Sequence, residues 1–133
     1  MMSKTLSPEL LRVCDANLNR LREGIRVIED ILRYKDNNKE LSSKLKQLRH
    51  LSQLPNYKQF LQNRDSINDV LKPSTKSEQI RTSLEDVIIS NFKRAEESSR
   101  VLEEIFKLED TNISEKFKHI RYELYDIEKK VLI

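Results

Sequence analysis

The sequence predicts an all-helical fold, a four-helix up-down-up-down bundle formed by a duplicated helical hairpin with a long middle connection. One glycine and three prolines stand among residues rich in Leu, Glu, Lys and Arg, a composition that favours long helices over sheets. Apolar residues recur at spacings of three and four in four segments, as on one face of a helix. A polar motif of the first segment returns in the third, which indicates the duplication.

The 133 residues have the length of one ordinary domain, and we expect residues 1–133 to form a single helical domain. The two repeat units are residues 7–54 and 83–133, and residues 55–82 form the connection between them. This connection contains the longest polar segment of the chain, residues 63–82, and it is interrupted by Pro73. Connections of this length are often functional or mobile.

The first helix is expected to begin after Ser7, because Ser7, Pro8 and Glu9 fit a cap, a first-turn proline and a favourable acidic residue. It should end near residues 36–38. Val13, Val27 and Ile31 widen its apolar stripe, which suits packing against two neighbours better than the narrow seam of a two-stranded coiled coil. The stripe itself consists of Leu11, Cys14, Leu18, Leu21, Ile25, Ile28 and Leu32.

A second helix is expected from about Lys39 to Leu54, where Pro55 stops it, and Asn56 then caps a short additional helix. Its inward residues are Leu41, Leu45, Leu48 and Leu51.

Two further helices follow the connection. The third should run from about Ser83 to Leu108, since Ser83 and Asp86 have the spacing of a capping box. Asn112 and Glu115 have the same spacing at the start of the fourth. The inward residues of the fourth helix are Phe117, Ile120, Leu124, Ile127 and Val131.

Charge and hydropathy exclude several classes of function. The 25 basic and 22 acidic residues are interspersed and leave a formal net charge of +3, whereas nucleic-acid binding needs a basic stripe. No apolar run approaches the roughly 20 residues that span a bilayer, and the start of the chain, residues 1–5, lacks the apolar core of a signal peptide. The single cysteine, Cys14, fits a buried residue in a reducing compartment. We therefore expect a cytoplasmic protein without nucleic-acid or membrane partners.

The internal repeat is strongest between the first and third helices. Residues 17–20, Glu23 and residues 26–31 recur as residues 91–94, Glu97 and residues 100–105 at one constant offset (91 − 17 = 74). Apolar matches are expected of any two amphipathic helices, but a solvated surface accepts almost any charged residue, so the matched Asn, Arg and Glu are informative. The second and fourth helices match more weakly, at Lys46, Leu48 and Arg49 against Lys118, Ile120 and Arg121.

The repeated Asn and Arg side chains lie beside the predicted core. At about 100° per residue, Asn17 and Arg20 lie at the edge of the apolar stripe, and so do Asn91 and Arg94. A pseudo-twofold axis relating the first and third helices would make the two pairs face one shared cleft.

Gly24 and Ser98 are small residues at equivalent positions, which allows a neighbouring helix or a ligand to approach the backbone. Two interpretations of the repeated polar residues remain open. They form interhelical hydrogen bonds that survive from the duplication, or they bind an anionic ligand, because a half-buried arginine needs an anion beside it.

Distinctive motifs occur across nearly the whole chain, at residues 15–20, 22–27, 29–30, 48–50, 64–65, 69–70, 91–94, 100–104, 121–122 and 125–126. Together these motifs resemble those of the small all-helical hydroxymethylpyrimidine-phosphate kinase of thiamine biosynthesis. In that family the domain is often fused upstream of thiamine phosphate synthase, which is therefore a possible partner, as is a second copy of the chain. Whether the chain is free-standing or part of such a fusion stays open.

The resemblance implies transfer of the γ-phosphoryl group of ATP, with Mg²⁺, to hydroxymethylpyrimidine phosphate, giving the diphosphate. A chain with one glycine has no Gly-rich phosphate loop, so side chains and helix N-termini must hold the phosphates. The candidate phosphate-binding residues are Asn17, Arg20, Arg64, Asn91 and Arg94.

Other candidates have catalytic or positioning roles: Glu23, Arg49, His50 and Glu97, with Asp69 as a metal ligand and Glu23 as a second carboxylate on the metal side. His50 also fits a purely structural residue. Arg26 and Arg100 are expected to form ion pairs within their own helices.

Two alternatives to the kinase belong to other classes of protein. One is a non-catalytic helical module that docks on thiamine phosphate synthase or assembles with itself. The other is a coiled-coil scaffold, which the long connection and the widened apolar stripes disfavour.

Overall fold

The computed structural model describes residues 5–133, and this part of the chain contains six α-helices and no strand. The prediction that the start of the chain lacks the apolar core of a signal peptide mainly concerns residues 1–4, which lie outside the described residues. The all-helical class is confirmed for the described residues, in which no helix is long and apolar enough to cross a membrane. The helices are α1 (Pro8–Asp30), α2 (Lys39–Leu51), α3 (Tyr57–Gln62), α4 (Lys76–Gln79), α5 (Leu84–Phe106) and α6 (Thr111–Leu132).

The start of α1 is as predicted, since the Ser7 hydroxyl accepts a hydrogen bond from the backbone N–H of Leu10. A π-helical turn, Ile31–Lys35, extends the helix to the predicted end. Asn37 then adopts a left-handed backbone with φ of 52°, and the Asn38 N–H donates to the carbonyl of Leu32 over 2.8 Å. These contacts reverse the chain towards α2.

The second helix ends three residues before the predicted end. The Ser52 hydroxyl donates to the Arg49 carbonyl over 2.6 Å, and the Gln53 N–H donates to the His50 carbonyl. Leu54 precedes a proline, which disfavours helical backbone there. Leu51 is consequently 39% exposed, and the prediction that it faces the core is wrong, while Ser52 is fully buried.

The predicted start of α5 is confirmed, because the Ser83 hydroxyl accepts from the Asp86 N–H over 3.1 Å. The predicted cap of α6, Asn112, is wrong. Asp110 caps that helix instead, and its carboxylate accepts from the N–H groups of Asn112 and Ile113. The connection is also less irregular than predicted, since the short helix α4 lies within it behind a Thr75 capping box.

The core lies where α1 packs along α5 and α2, and where α5 packs along α6. The apolar stripe of α1 is narrower than predicted, because Val13 and Val27 are more than one third exposed. Gly24 permits the close approach of α1 to α5, since a Cβ atom there would lie 3.0 Å from the carbonyl oxygen of Asn91. Phe106 and Phe117 stack between α5 and α6, with ring centroids 5.8 Å apart.

Equivalent positions of the sequence repeat form similar ion pairs between neighbouring helices. Glu29 of α1 accepts two hydrogen bonds from Arg49 of α2, at 2.7 and 3.1 Å. At the equivalent positions, Glu103 of α5 accepts two from Arg121 of α6, at 3.0 and 3.2 Å. Each repeat unit is therefore joined by one buried carboxylate that binds the arginine of its second helix.

The predicted ion pairs within helices are also present. Arg26 lies 3.7 Å from Glu29 and 3.5 Å from Asp30, and Arg100 contacts Glu103 and Glu104.

Candidate functional site

A cleft of about 540 Å³ lies between α1 and α5, and it carries most of the predicted phosphate-binding side chains. Asn17 and Arg20 enter it from α1, and Arg94 and Glu97 enter it from α5. The remaining lining residues are Arg81, Ile89, Ser90, Lys93, Ser98 and Val101. Two arginines from the two copies of the repeat thus share one cavity.

The cleft is positively charged, with four cations and one carboxylate in its lining. Within residues 5–133, no carboxylate forms an ion pair with Arg20 or Arg94, and both side chains are exposed. In the described part of the chain, Arg81 donates to the backbone carbonyls of Ser77 and Ile80 and to no other group. These three guanidinium groups are therefore free to bind a multiply charged anion such as a polyphosphate.

The two repeated asparagines bond to their own helices. Asn17 is 6% exposed and donates from Nδ2 to the Val13 carbonyl over 2.9 Å. Asn91 makes the same contact with the Val87 carbonyl over 2.8 Å. Asn17 lines the cleft and Asn91 does not; the backbone carbonyl of Asn91 lies against Gly24.

Arg64 and Arg49 lie outside the cleft and bind carboxylates of α1. Arg64 donates to both carboxylate oxygens of Asp15, over 2.8 and 2.9 Å, and this contact raises the pKa of Arg64 above its ordinary value. Hydrogen bonding to Glu29 likewise raises the pKa of Arg49. The structure therefore does not bring Arg64 beside Arg20, and its predicted phosphate contact stays a prediction.

Three other candidates are exposed and lie apart from the cleft lining. Glu23, on α1, and His50, near the end of α2, are not among the residues that line it. Asp69 lies in the connection, where its carboxylate accepts from the Leu71 N–H over 3.0 Å.

A magnesium ion would find one carboxylate in this cleft, that of Glu97. No cluster of three metal-binding side chains exists in the described part of the chain. Mg²⁺ on a nucleotide takes most of its ligands from phosphate oxygens and water and needs only one or two carboxylates. Glu97 fits that requirement, whereas Asp69 lies in the connection and is not among the lining residues.

Sequence reasoning missed Lys93 and Arg81 as lining residues. Lys93 lies 3.1 Å from a carboxylate oxygen of Glu96 and 3.1 Å from one of Glu128 on α6. Its position inside the repeated motif, between Asn91 and Arg94, was an available signal. Arg81 comes from the aperiodic connection, and no pattern in the sequence relates it to α5.

Comparison with known proteins finds one matching family and several relatives of similar sequence. The model of the ThiD2 family matches residues 12–130. Thiamine-phosphate synthase of Synechocystis sp. (strain ATCC 27184 / PCC 6803 / Kazusa) is 36% identical over 132 residues, which are 98% of this chain and 38% of the relative. That of Prochlorococcus marinus (strain AS9601) is 36% identical over 124 residues, 92% of this chain and 35% of the relative.

Thiamine-phosphate synthase of Nostoc punctiforme (strain ATCC 29133 / PCC 73102) is 38% identical over 125 residues, which are 91% of this chain and 35% of the relative. The chain thus spans little more than a third of the length of these relatives. No solved structure matches the chain.

Proposed function

Since the chain belongs to the ThiD2 family, we propose that it is a cytoplasmic enzyme of thiamine biosynthesis that phosphorylates hydroxymethylpyrimidine phosphate to the diphosphate with ATP. The thiamine-phosphate synthase relatives support the thiamine context. One observation supports the proposed kinase activity. Arg20 and Arg94, equivalent in the two repeat units, line one cleft without a carboxylate partner among residues 5–133.

The reaction needs positioning more than base catalysis. A phosphate monoester has a second pKa near 6, so the acceptor is largely dianionic at neutral pH and needs no strong base. Two mutually repelling anions must be held in line, and planar guanidinium groups bind phosphate oxygens in pairs. In this proposal Arg20, Arg81 and Arg94 bind the phosphates and Asn17 donates one neutral hydrogen bond.

Glu97 would hold the metal ion in this scheme, and Mg²⁺ would neutralise charge on the nucleotide phosphates. The carboxylate of Glu97 would also orient the two substrates. It repels phosphate oxygens that carry no metal ion, so the metal-bound phosphates of the nucleotide would lie beside it.

We also propose that α1, α2, α5 and α6 form an up-down-up-down bundle in which α1 and α5 are related by a pseudo-twofold axis. Gly24 lies against Asn91, and Asn17 and Ser98, the equivalents of Asn91 and Gly24, line the same cleft. An axis that exchanges these pairs passes beside Arg20 and Arg94, which explains why both arginines face one cavity.

The first test is incubation of the purified protein with Mg-ATP and hydroxymethylpyrimidine phosphate, with the diphosphate quantified by chromatography. Arg20→Ala and Arg94→Ala should each lower kcat/KM by about a hundredfold or more while thermal unfolding stays unchanged, because both side chains are exposed. Arg33→Ala, at an exposed arginine of the π-helical turn, is the matched control. Absence of the diphosphate with the unmodified chain would reject the proposal.

The second test compares two acceptors. The unphosphorylated hydroxymethylpyrimidine should be a poor substrate, because an alcohol needs a base to accept its proton and leaves the acceptor-phosphate contacts unused. We expect at least a hundredfold lower kcat/KM for the alcohol. Equal turnover of the alcohol and the phosphate would contradict the proposal that arginines bind the acceptor phosphate.

A non-catalytic module is the second candidate, favoured by the match to about a third of each thiamine-phosphate synthase. In that case the unmodified chain has no kinase activity, and Arg94→Ala would change only stability or association, either with a synthase or with a second copy. Analytical ultracentrifugation of both forms separates this outcome from the catalytic one.

A further inference from the structure

A second cavity, of about 290 Å³, lies between α1, the segment after α2, and α3. We refer to it as the α3 pocket. Asp15, Asn19 and Arg22 of α1 form its polar wall, and Tyr57 and Phe60 of α3 belong to its apolar wall. The volume is close to the lower limit of about 300 Å³ for small-molecule sites, which suits one ring with a substituent.

Arg22 lacks a counter-ion in this wall. Its Nε atom is buried and has no hydrogen-bond partner among residues 5–133. The carboxylates on the same face of α1 already have partners, because Asp15 binds Arg64 and Glu29 binds Arg49. A buried guanidinium N–H without an acceptor is costly, and native structures usually supply one.

The other repeat unit shows that this arrangement is not a general property of the fold. The residue equivalent to Arg22 is Glu96 (96 − 22 = 74), which is 3% exposed. Lys93 lies 3.1 Å from Glu96 and also contacts Glu128 of α6. At that position the chain supplies ion pairs, although Oε2 of Glu96 has no hydrogen-bond partner, whereas no ion pair among residues 5–133 includes Arg22.

The α3 pocket is separate from the cleft between α1 and α5. Arg20 and Arg22 are two residues apart, which places them about 200° apart around α1. A ligand in the α3 pocket therefore lies on the opposite side of α1 and cannot take part in chemistry beside Arg20 and Arg94.

The walls define the chemistry of an occupant. Arg64 neutralises Asp15, so the polar wall has one net positive charge, that of Arg22. Tyr57 is 57% exposed and offers aromatic surface to a flat group, whereas Phe60 is 2% exposed and adds little. We propose that the α3 pocket binds a small planar ring carrying one carboxylate or phosphate group, with Arg22 as its counter-ion.

Titration of the ¹⁵N-labelled chain, followed by amide NMR shifts, tests this inference with four probes. Benzoate and phenyl phosphate carry a ring and an anion, benzamide carries the ring alone, and inorganic phosphate carries the anion alone. We expect saturable shifts of amides in residues 52–60 with benzoate or phenyl phosphate, and at least tenfold weaker binding of the other two. Preference between the first two identifies carboxylate or phosphate as the natural group.

The variant Arg22→Gln should weaken binding of the preferred probe about tenfold or more, while the exposed control Arg33→Gln leaves it unchanged. Arg22→Gln should not lower the midpoint of thermal unfolding, because it removes a charge without a partner. Shifts confined to residues 88–101 would locate binding in the cleft between α1 and α5 and overturn the inference. So would equal affinity for benzamide, unchanged binding by Arg22→Gln, or marked destabilisation by that variant.

Discussion

The carboxyl group of Glu96 is buried between α5 and α6, beside Lys93 and Glu128. Burial is the main cause that raises its pKa to about 7, the hydrogen bond with Glu128 raises it further, and Lys93 opposes both. In the unfolded chain the same group titrates near its ordinary value of 4.5. The folded protein therefore binds an additional proton between these two values.

This difference predicts how stability depends on pH. The free energy of unfolding should fall as pH rises from about 4.5 to about 7, because ionisation is easier in the unfolded chain. Glu96→Gln removes the titration and should raise the free energy of unfolding by about 2 kcal/mol near pH 8, with little change near pH 4.5. Urea unfolding at both values measures this. An equal effect at the two pH values would contradict the assignment, and exposed Glu115→Gln is the control.

At the residue scale the sequence predicts some contacts and not others. Arg20 and Arg94 could be placed at the edge of the stripe because helical periodicity fixes their direction. The contact between Arg64 and Asp15 joins residues 49 positions apart across an aperiodic segment, so no local rule indicates it. The sequence alone therefore leaves Arg64 as a candidate phosphate-binding residue. In the structure its guanidinium group is already hydrogen-bonded to the carboxylate of Asp15.

At the scale of single helices, Gly24 limits the distance between α1 and α5. A Cβ atom at this position would lie 3.0 Å from a backbone oxygen, that of Asn91, and 3.5 Å from the Cβ of Ala95. The backbone of α5 cannot rotate away as a side chain can. The steric cost therefore opposes the gain of about 1 kcal/mol that alanine has over glycine inside a helix.

We expect Gly24→Ala to lower the free energy of unfolding by about 1 kcal/mol and Gly24→Val to lower it further, as measured by urea denaturation. Ser98→Ala at the equivalent position is the control, because the Ser98 hydroxyl bonds only to carbonyls of its own helix. A stabilising Gly24→Ala would mean that the two helices separate without cost.

Helix ends were predicted less well than helix interiors. Periodicity locates the buried residues of α6, Phe117 to Ile127, whichever residue caps the helix. Asp110 and Asn112 are both good caps, and only the path of the turn after Phe106 decides between them. That path depends on packing of α5 against α6, which a single sequence does not describe.

For the whole molecule, the four apolar stripes were sufficient to predict four long helices and the all-helical class. They did not predict how the connection runs, because polar residues without periodicity have no preferred face. Arg81 reaches the cleft from this connection, so the lining could be predicted only in part. The α3 pocket escaped prediction for the same reason, since its walls come from three segments that periodicity does not relate.

An unbroken backbone within residues 66–85 should be dispensable for the association of the two repeat units. Residues 66–85 are all exposed, whereas α1 and α5 bury Leu21, Ile25 and Phe92 against each other and their neighbours. A specific protease site inserted after Ser74 should therefore yield, on cleavage of the full chain, two fragments that elute together with unchanged helical circular dichroism. The uncleaved insertion variant is the control. Separation of the fragments would show that the connection, and not burial between α1 and α5, holds the halves together.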